Sequence, residues 1–309
     1  MKIISVINYK GGVGKTTVTS NIAAELASRG KRVLLLDMDA QASLTFSFVS
    51  PDYWHSHLQN THTIKSYFDS ISQGLQPPHL SQLTIRPAPV NDLIHQRGSS
   101  GFVDLISSHL GLINVDLELA TLLGGANMNQ AKLNYIKVHG RLRESIREFA
   151  ALNYDVVLID CPPNFNIVTK NALIASDQIL IPAKPDYLST LGIDYLHRSV
   201  KQLVAEFNEF AAMDHSIPPA NPIVLGVVFT MIQIYSGAPI GSQQQFITQT
   251  QYLNIPMFEK FFRENKSIFA SAPQDGIPVV LQAHNNGTYS DIVNEVSLFV
   301  NEFQRKAGI

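Results

Sequence analysis

Eight residues near the start of the chain, Lys10-Gly11-Gly12-Val13-Gly14-Lys15-Thr16-Thr17, restrict the possible folds more than any other part of the sequence. They follow a short, β-branched apolar run, Ile3 to Ile7. They lead into Thr17 to Arg29, where apolar residues recur at helical spacing. Strand, glycine-rich turn and helix, in that order, make a cradle for phosphate. The glycines let the backbone turn tightly and aim its N–H groups inward. The helix adds the positive end of its dipole. Lys15 can reach the outer phosphates of a nucleotide, and the Thr16 hydroxyl can ligate Mg²⁺.

The alternation continues along the chain. Arg32 to Leu36, Val156 to Ile159, Gln178 to Ile181 and Ile223 to Phe229 are continuous apolar runs. Such runs suit strands buried on both faces of a parallel sheet. Segments of helical spacing, such as Gly192 to Phe210, lie between them, and Gly30 stands where a helix stop is expected. The pattern predicts an α/β fold, a doubly wound, mostly parallel sheet flanked by helices, in one domain over residues 1–309. With 309 residues the chain can bury about three-quarters of its unfolded surface, so core size is not limiting. Apolar residues make up 45% and charged residues 16%, the balance of a globular protein. Residues 51–100 break the rhythm. They are rich in His, Gln, Ser and Pro and read as an irregular insertion with one helix, Ile64 to Ser72. A surface elaboration and a partner-binding surface both fit them.

Two further segments carry carboxylates. Leu34-Leu35-Leu36-Asp37-Met38-Asp39 ends a strand, so Asp37 and Asp39 share one side of an extended chain at the C-terminal edge of the sheet, where open α/β sheets bind ligands. Each can act on a ligand or cap nearby backbone N–H groups. Tyr154-Asp155-Val156-Val157-Leu158-Ile159-Asp160 has the form of a Walker B strand, with Asp160 as the Mg²⁺ partner, usually through water. Cys161 is the only cysteine. It allows no intrachain disulfide and no cysteine metal cluster, and it reads as a packing residue, compatible with a reducing compartment.

An ordinary Walker A loop needs a glycine six positions before Lys15, where this chain has Tyr9. A second lysine, Lys10, stands at the loop entrance instead. This K-G-G-x-G-K-T-T pattern resembles the deviant Walker A of the ParA/MinD family of P-loop ATPases, on its ParA-like, Soj-like branch. The likeness extends to Asp37-Met38-Asp39-Ala40-Gln41 as switch I, Cys161-Pro162-Pro163 as switch II and Val103 to Ser108 as a central strand. Asp177 to Pro182 with Pro185-Asp186, Gly226 to Met231, and Ala272-Pro273 with Gly276 and Pro278 are also similar to family segments.

The resemblance implies a slow, switch-type ATP hydrolase using ATP and Mg²⁺. Gly11, Gly12, Val13, Gly14, Lys15, Thr16 and Thr17 would hold the phosphates, Thr16 and Asp160 the metal, and Thr230 and Met231 the adenine. Asp39 would position or activate the attacking water. Lys10 would reach across a homodimer to the nucleotide sandwiched with the other subunit, adding positive charge in trans as an arginine finger does. In ParA-like members the ATP dimer holds non-specific DNA until a ParB-like or cargo-adaptor protein stimulates hydrolysis. That cycle positions plasmids, chromosomes or protein bodies such as carboxysomes over the nucleoid, which implies a cytoplasmic, nucleoid-associated protein.

The net charge is −2, so DNA contacts need a local basic patch. Lys260, Arg263 and Lys266 lie close together, with Phe261 and Phe262 between them; they suit phosphate contacts and a solvated face equally. Arg198 with Lys201, or Arg141, Arg143 and Arg147, are alternative patches. The MinD-like alternative cycles on membranes through a terminal amphipathic helix. Ile292, Val293, Val296, Phe299, Val300 and Phe303 form a helical stripe that fits lipid or an ordinary core, and no separate basic amphipathic segment follows it. That disfavours a membrane role, as does the lack of any run of about 18 apolar residues. The start of the chain lacks the charged and cleavage regions of a signal peptide. One cysteine disfavours a nitrogenase-type iron protein, and the lack of a tyrosine-rich tail disfavours a bacterial tyrosine kinase.

Overall fold

A computed structural model describes residues 1–214, 216–282 and 287–309. Six parallel strands form the sheet: β1 (Lys2–Val6), β2 (Arg32–Asp37), β3 (Phe102–Ile106), β4 (Val156–Asp160), β5 (Gln178–Ala183) and β6 (Ile223–Phe229). Their order is β3-β2-β4-β1-β5-β6, which puts β1 and the phosphate loop near the centre. Side chains alternate across a strand, so neighbouring apolar residues fill opposite layers. Ile3 enters the core on one face, while Ile4 and Val6 enter the core on the other. That division explains why the strand sequences are apolar without interruption.

Helix α1 (Lys15–Ser28) covers one face and stops where Gly30, at φ +86°, takes a left-handed turn. Between β2 and β3 the chain forms α2 (Ser43–Phe46), α3 (Pro51–Tyr53), α4 (Ile64–Ser72), α5 (Leu80–Leu83) and α6 (Ala88–Gln96). The 51–100 region is therefore more regular than its composition suggested, although its one expected helix has the expected bounds. The opposite face carries α7 (Leu112–Thr121), α8 (Met128–Ala150), α9 (Ile167–Ala175) and α10 (Tyr187–Ala211). After β6 come a two-stranded hairpin, β7 (Ile234–Tyr235) and β8 (Ala238–Pro239), then α11 (Gly241–Gln251), α12 (Lys266–Asp275) and α13 (Gly287–Ala307). The side chains of Ala272 and Pro273, singled out in the sequence, lie outside the described residues.

Both edges of the sheet are covered. Beside β3, Ile85 and Leu105 exchange antiparallel hydrogen bonds of 2.9 and 2.8 Å. Beside β6, the chain from Pro256 to Glu264 runs parallel, with Val227 N–H donating to Pro256 at 2.8 Å and Glu264 N–H to Ile232 at 2.8 Å. Unpaired strand edges invite aggregation, and these segments remove that hazard. Helix α13 completes the α1 face: Ile292, Val296, Phe299, Val300 and Phe303 are buried, and Phe299 packs against Phe258 and Phe262. The stripe that fitted lipid or core is occupied by the core.

Candidate functional site

The loop between β1 and α1 borders a cavity of about 620 Å³. Gly12 and Gly14 have φ of +69° and +78°, which strain any side-chain-bearing residue. A Cβ at Gly11 or Gly12 would meet no atom within 4 Å, so both flank open space large enough for phosphate oxygens. Gly14 begins α1 without a side-chain cap, leaving the first amides of the helix for a ligand.

Of the residues expected to hold nucleotide, Gly11, Gly12, Gly14, Lys15, Thr16, Thr17 and Met231 line this cavity, as does Asp39 from the far side. Others stand behind the wall. Val13 is buried, and its carbonyl accepts a 2.9 Å bond from the Thr230 hydroxyl, so Thr230 fastens the end of β6 to the loop. Thr230 also lines a smaller adjoining cavity of about 270 Å³, with Met231, Phe262 and Phe269. Met231 bounds both cavities in a left-handed conformation, φ +55°. An apolar annex beside a phosphate cradle suits a flat base.

The electrostatics are set by burial. Lys15 is 7% exposed, and desolvation pulls its pKa down while Asp160 and Asp39 resist. The Asp160 carboxylate accepts 2.7 Å from Thr16 Oγ1, and burial pushes its pKa up to about 7 against that bond and Lys15. Thr16 and Asp160 are thus already side by side, a hydroxyl and a carboxylate that would fit Mg²⁺. Asp37 is fully buried opposite Asp160 in the β2–β4 register, and burial, with Asp160 beside it, pushes its pKa up to about 8. It accepts from Thr45 N and Oγ1 at 2.8 and 2.7 Å and from Asp39 N at 3.1 Å. That pattern makes Asp37 a structural anchor of the Asp39 turn. Asp39 itself is only partly buried and faces the cavity.

Lys10 does not line the cavity. Its Nζ meets Asp186 Oδ2 at 2.6 Å, with both side chains about a third exposed. Asp186 also caps α10, accepting from Ser189 N at 2.9 Å; burial pushes its carboxyl up, but these bonds hold it below its ordinary value. The sequence singled out Asp186 without its partner. The start of α9, a few residues past Cys161-Pro162-Pro163, is tethered too: the Asp116 carboxylate, on α7, accepts from Asn166 Nδ2 and from Val168 N. Cys161 is buried, and desolvation raises its thiol well above the ordinary range, as befits a packing residue.

The candidate basic residues are mostly engaged. Arg263 pairs with Glu295, Lys266 lies 3.7 Å from Glu264, and Lys260 is exposed. Among the alternatives, Arg198 pairs with Asp194 and Arg147 with Asp177, Arg143 donates to the carbonyls of Pro218 and Pro219, and Arg141 donates to Gln76. Sequence reasoning missed Asn21 and Ile277–Val279 as cavity walls. The Asn21 side chain accepts from Val280 N at 3.2 Å, a contact across most of the chain length that no local pattern announces.

A family model described as an AAA domain matches residues 1–213. The sporulation initiation inhibitor protein Soj of Bacillus subtilis is 26% identical over 304 residues, covering 96% of this chain and 98% of that protein. The chromosome partitioning protein ParA of Myxococcus xanthus is 27% identical, covering 91% of this chain and 81% of the relative, and the cell division protein PomZ of the same organism is 26% identical, covering 86% and 71%. Among solved structures, an ATP complex of a McdA variant from Cyanothece superposes with a TM-score of 0.70 at 18% identity, covering 100% of this chain and 97% of that one. The structure of pNOB8 ParA gives 0.65 at 21% identity, covering 99% and 98%. Loop, carboxylates and these likenesses agree: the chain belongs to the ParA/MinD family of P-loop ATPases.

Proposed function

We propose that this ATPase is a slow molecular switch. Two copies sandwich ATP, the ATP dimer holds non-specific DNA, and a ParB-like or cargo-adaptor protein stimulates hydrolysis and lets go of the surface. The cycle positions a plasmid, a chromosome or a protein body. Nucleotide shared by two subunits favours the dimer by mass action, and its hydrolysis removes that linkage.

The observation that carries this reading is the position of Lys10. It sits at the rim of the phosphate loop, is absent from the walls of the loop's own cavity, and is held at the surface by Asp186. A lysine so placed suits a nucleotide bound by another subunit. The names of Soj, ParA and PomZ support partitioning and positioning as the task.

Within the cycle, the loop amides and Lys15 bind the phosphates, Thr16 and Asp160 would hold Mg²⁺, which would supply charge neutralisation, and Asp39 orients water. Lys260 offers an exposed cation to DNA, with Arg263 and Lys266 contributing as their partners Glu295 and Glu264 yield.

The test is a gel shift on non-specific duplex DNA with ATP, with ADP and without nucleotide, at two salt concentrations. Binding that requires ATP and weakens steeply with salt supports the reading. No shift in any state, with ATP turnover intact, refutes the DNA half of it.

A further inference from the structure

Beneath the Asp39 turn lies a closed, buried chain of hydrogen bonds that ends in the 51–100 region. The Asp39 carbonyl receives the Ser108 hydroxyl at 2.6 Å and the Ala42 N–H at 2.9 Å. Ser108 N–H donates to Thr45 Oγ1 at 2.9 Å, and that same hydroxyl donates to Asp37. The Ser108 carbonyl accepts from the indole N–H of Trp54 at 3.1 Å. Ser108 and Thr45 are fully buried, and Trp54, the only tryptophan, is 6% exposed. The indole ring is wedged between Phe46, edge-on at 5.7 Å, and His109 at 5.6 Å, and Phe46 is itself a wall of the nucleotide cavity. The backbone N–H, hydroxyl hydrogen and carbonyl of Ser108 are thus all engaged, one with Asp39, one with Thr45 on α2 and one with the insertion.

From this we infer that Ser108 and Trp54 are positioning residues for hydrolysis: they fix the backbone of Asp39, and so the direction of its carboxylate, without touching nucleotide. This rests on the hydrolytic role proposed for Asp39. The Asp39 carboxylate has one oxygen occupied by Gln41 N–H at 3.0 Å, while its backbone N–H is held by Asp37 and its carbonyl by Ser108 and Ala42. A turn pinned at both ends transmits small displacements of its supports directly to the side chain. Loss of about 1 Å in the placement of a reacting group can cost on the order of 100-fold in rate. The 51–63 segment is thereby a lever on turnover. It presses on the end of β3 through Trp54 and also through His62, whose carbonyl accepts the Ser107 hydroxyl at 2.7 Å.

The experiment compares kcat with the affinity for ATP in Ser108→Ala and Trp54→Phe. The second keeps an aromatic ring in the wedge and removes the N–H donor together with the five-membered ring that carries it. Both should bind ATP as the parent does, and both should turn over roughly three- to tenfold more slowly, the range expected for one buried hydrogen bond converted to rate. A residue that merely supports the fold would lower affinity and kcat together, or neither. An unchanged kcat in either variant, or a parallel loss of affinity, overturns the inference. If Ser108→Ala does not fold, Trp54→Phe carries the same test. Asp39→Ala is the control. If it turns over at the parent rate, the role of Asp39 falls and takes this inference with it. If it is slow while Trp54→Phe is not, only the lever falls.

Discussion

At the scale of single residues, the site divides into groups that touch the cavity and groups that hold them there. Lys15 belongs to the first. It is buried, its charge is opposed by desolvation, and it regains that loss only beside anions. Lys15→Ala should therefore lower ATP affinity by at least about 100-fold, since a charge-assisted contact to phosphate and a buried partner vanish together. Isothermal titration with unchanged affinity would sink the phosphate-loop assignment. Asp39→Ala removes a group that faces the cavity from outside the phosphate loop, so it should bind ATP normally and hydrolyse it about 100-fold or more slowly. Single-turnover measurement separates the two steps. Lys10 belongs to neither group, since it stands at the loop rim outside the cavity walls. Asp186 holds it, and in the proposed dimer a nucleotide of the second copy would have to compete with that carboxylate.

At the scale of elements, the strands and the loop were legible because their signals are local. Ile223–Phe229 has the bounds its sequence indicated, and β2 and β4 extend only one residue further, to Asp37 and Asp160. Helix α8 was not legible as an element, although three of its arginines were noticed as possible DNA contacts. Its mean polarity is high, and its buried side is recognisable only once α9 and α10 lie against it. Two of the ion pairs that engage the basic candidates were hidden for the same reason: Arg263 and Glu295 are 32 residues apart and Arg147 and Asp177 are 30, and nothing in either segment names the other.

Helix α8 also carries a testable pH response. His139 is fully buried, Nδ1 meets the Tyr135 carbonyl at 2.9 Å, and Nε2 has no partner among the described residues. Burial pulls its pKa down to about 4 from 6.5. A histidine shifted down leaves stability whole above pH 6.5 and erodes it as the pH falls toward 4, because the unfolded chain takes the proton first. The shift corresponds to about 3 kcal/mol at the acid end. His139→Gln should flatten the fall in urea midpoint between pH 6.5 and 4.5. An equally steep fall in the variant would place the acid sensitivity elsewhere.

At the scale of the whole molecule, the question is where a second copy would lie. The first turns of α10 expose Tyr187, Leu188, Leu191 and Tyr195, each more than half accessible. Their spacing puts them on neighbouring sides of one helix, and Asp186, which caps that helix, is the residue that holds Lys10. An exposed apolar cluster of this kind suits a contact surface. Here it adjoins Lys10, the lysine proposed to act across an interface. The two features belong together if the ATP dimer forms over this end of α10. In an Asp39→Ala background, where slow hydrolysis should trap the dimer, light scattering with ATP should report twice the monomer mass. Adding Leu191→Glu places a carboxylate in the middle of the apolar cluster, whose desolvation costs several kcal/mol when unpaired. The double variant should stay monomeric with ATP while binding it as tightly in a monomer titration. A dimer that persists would move the interface away from α10 and leave Lys10 without its reason for standing outside its own cavity.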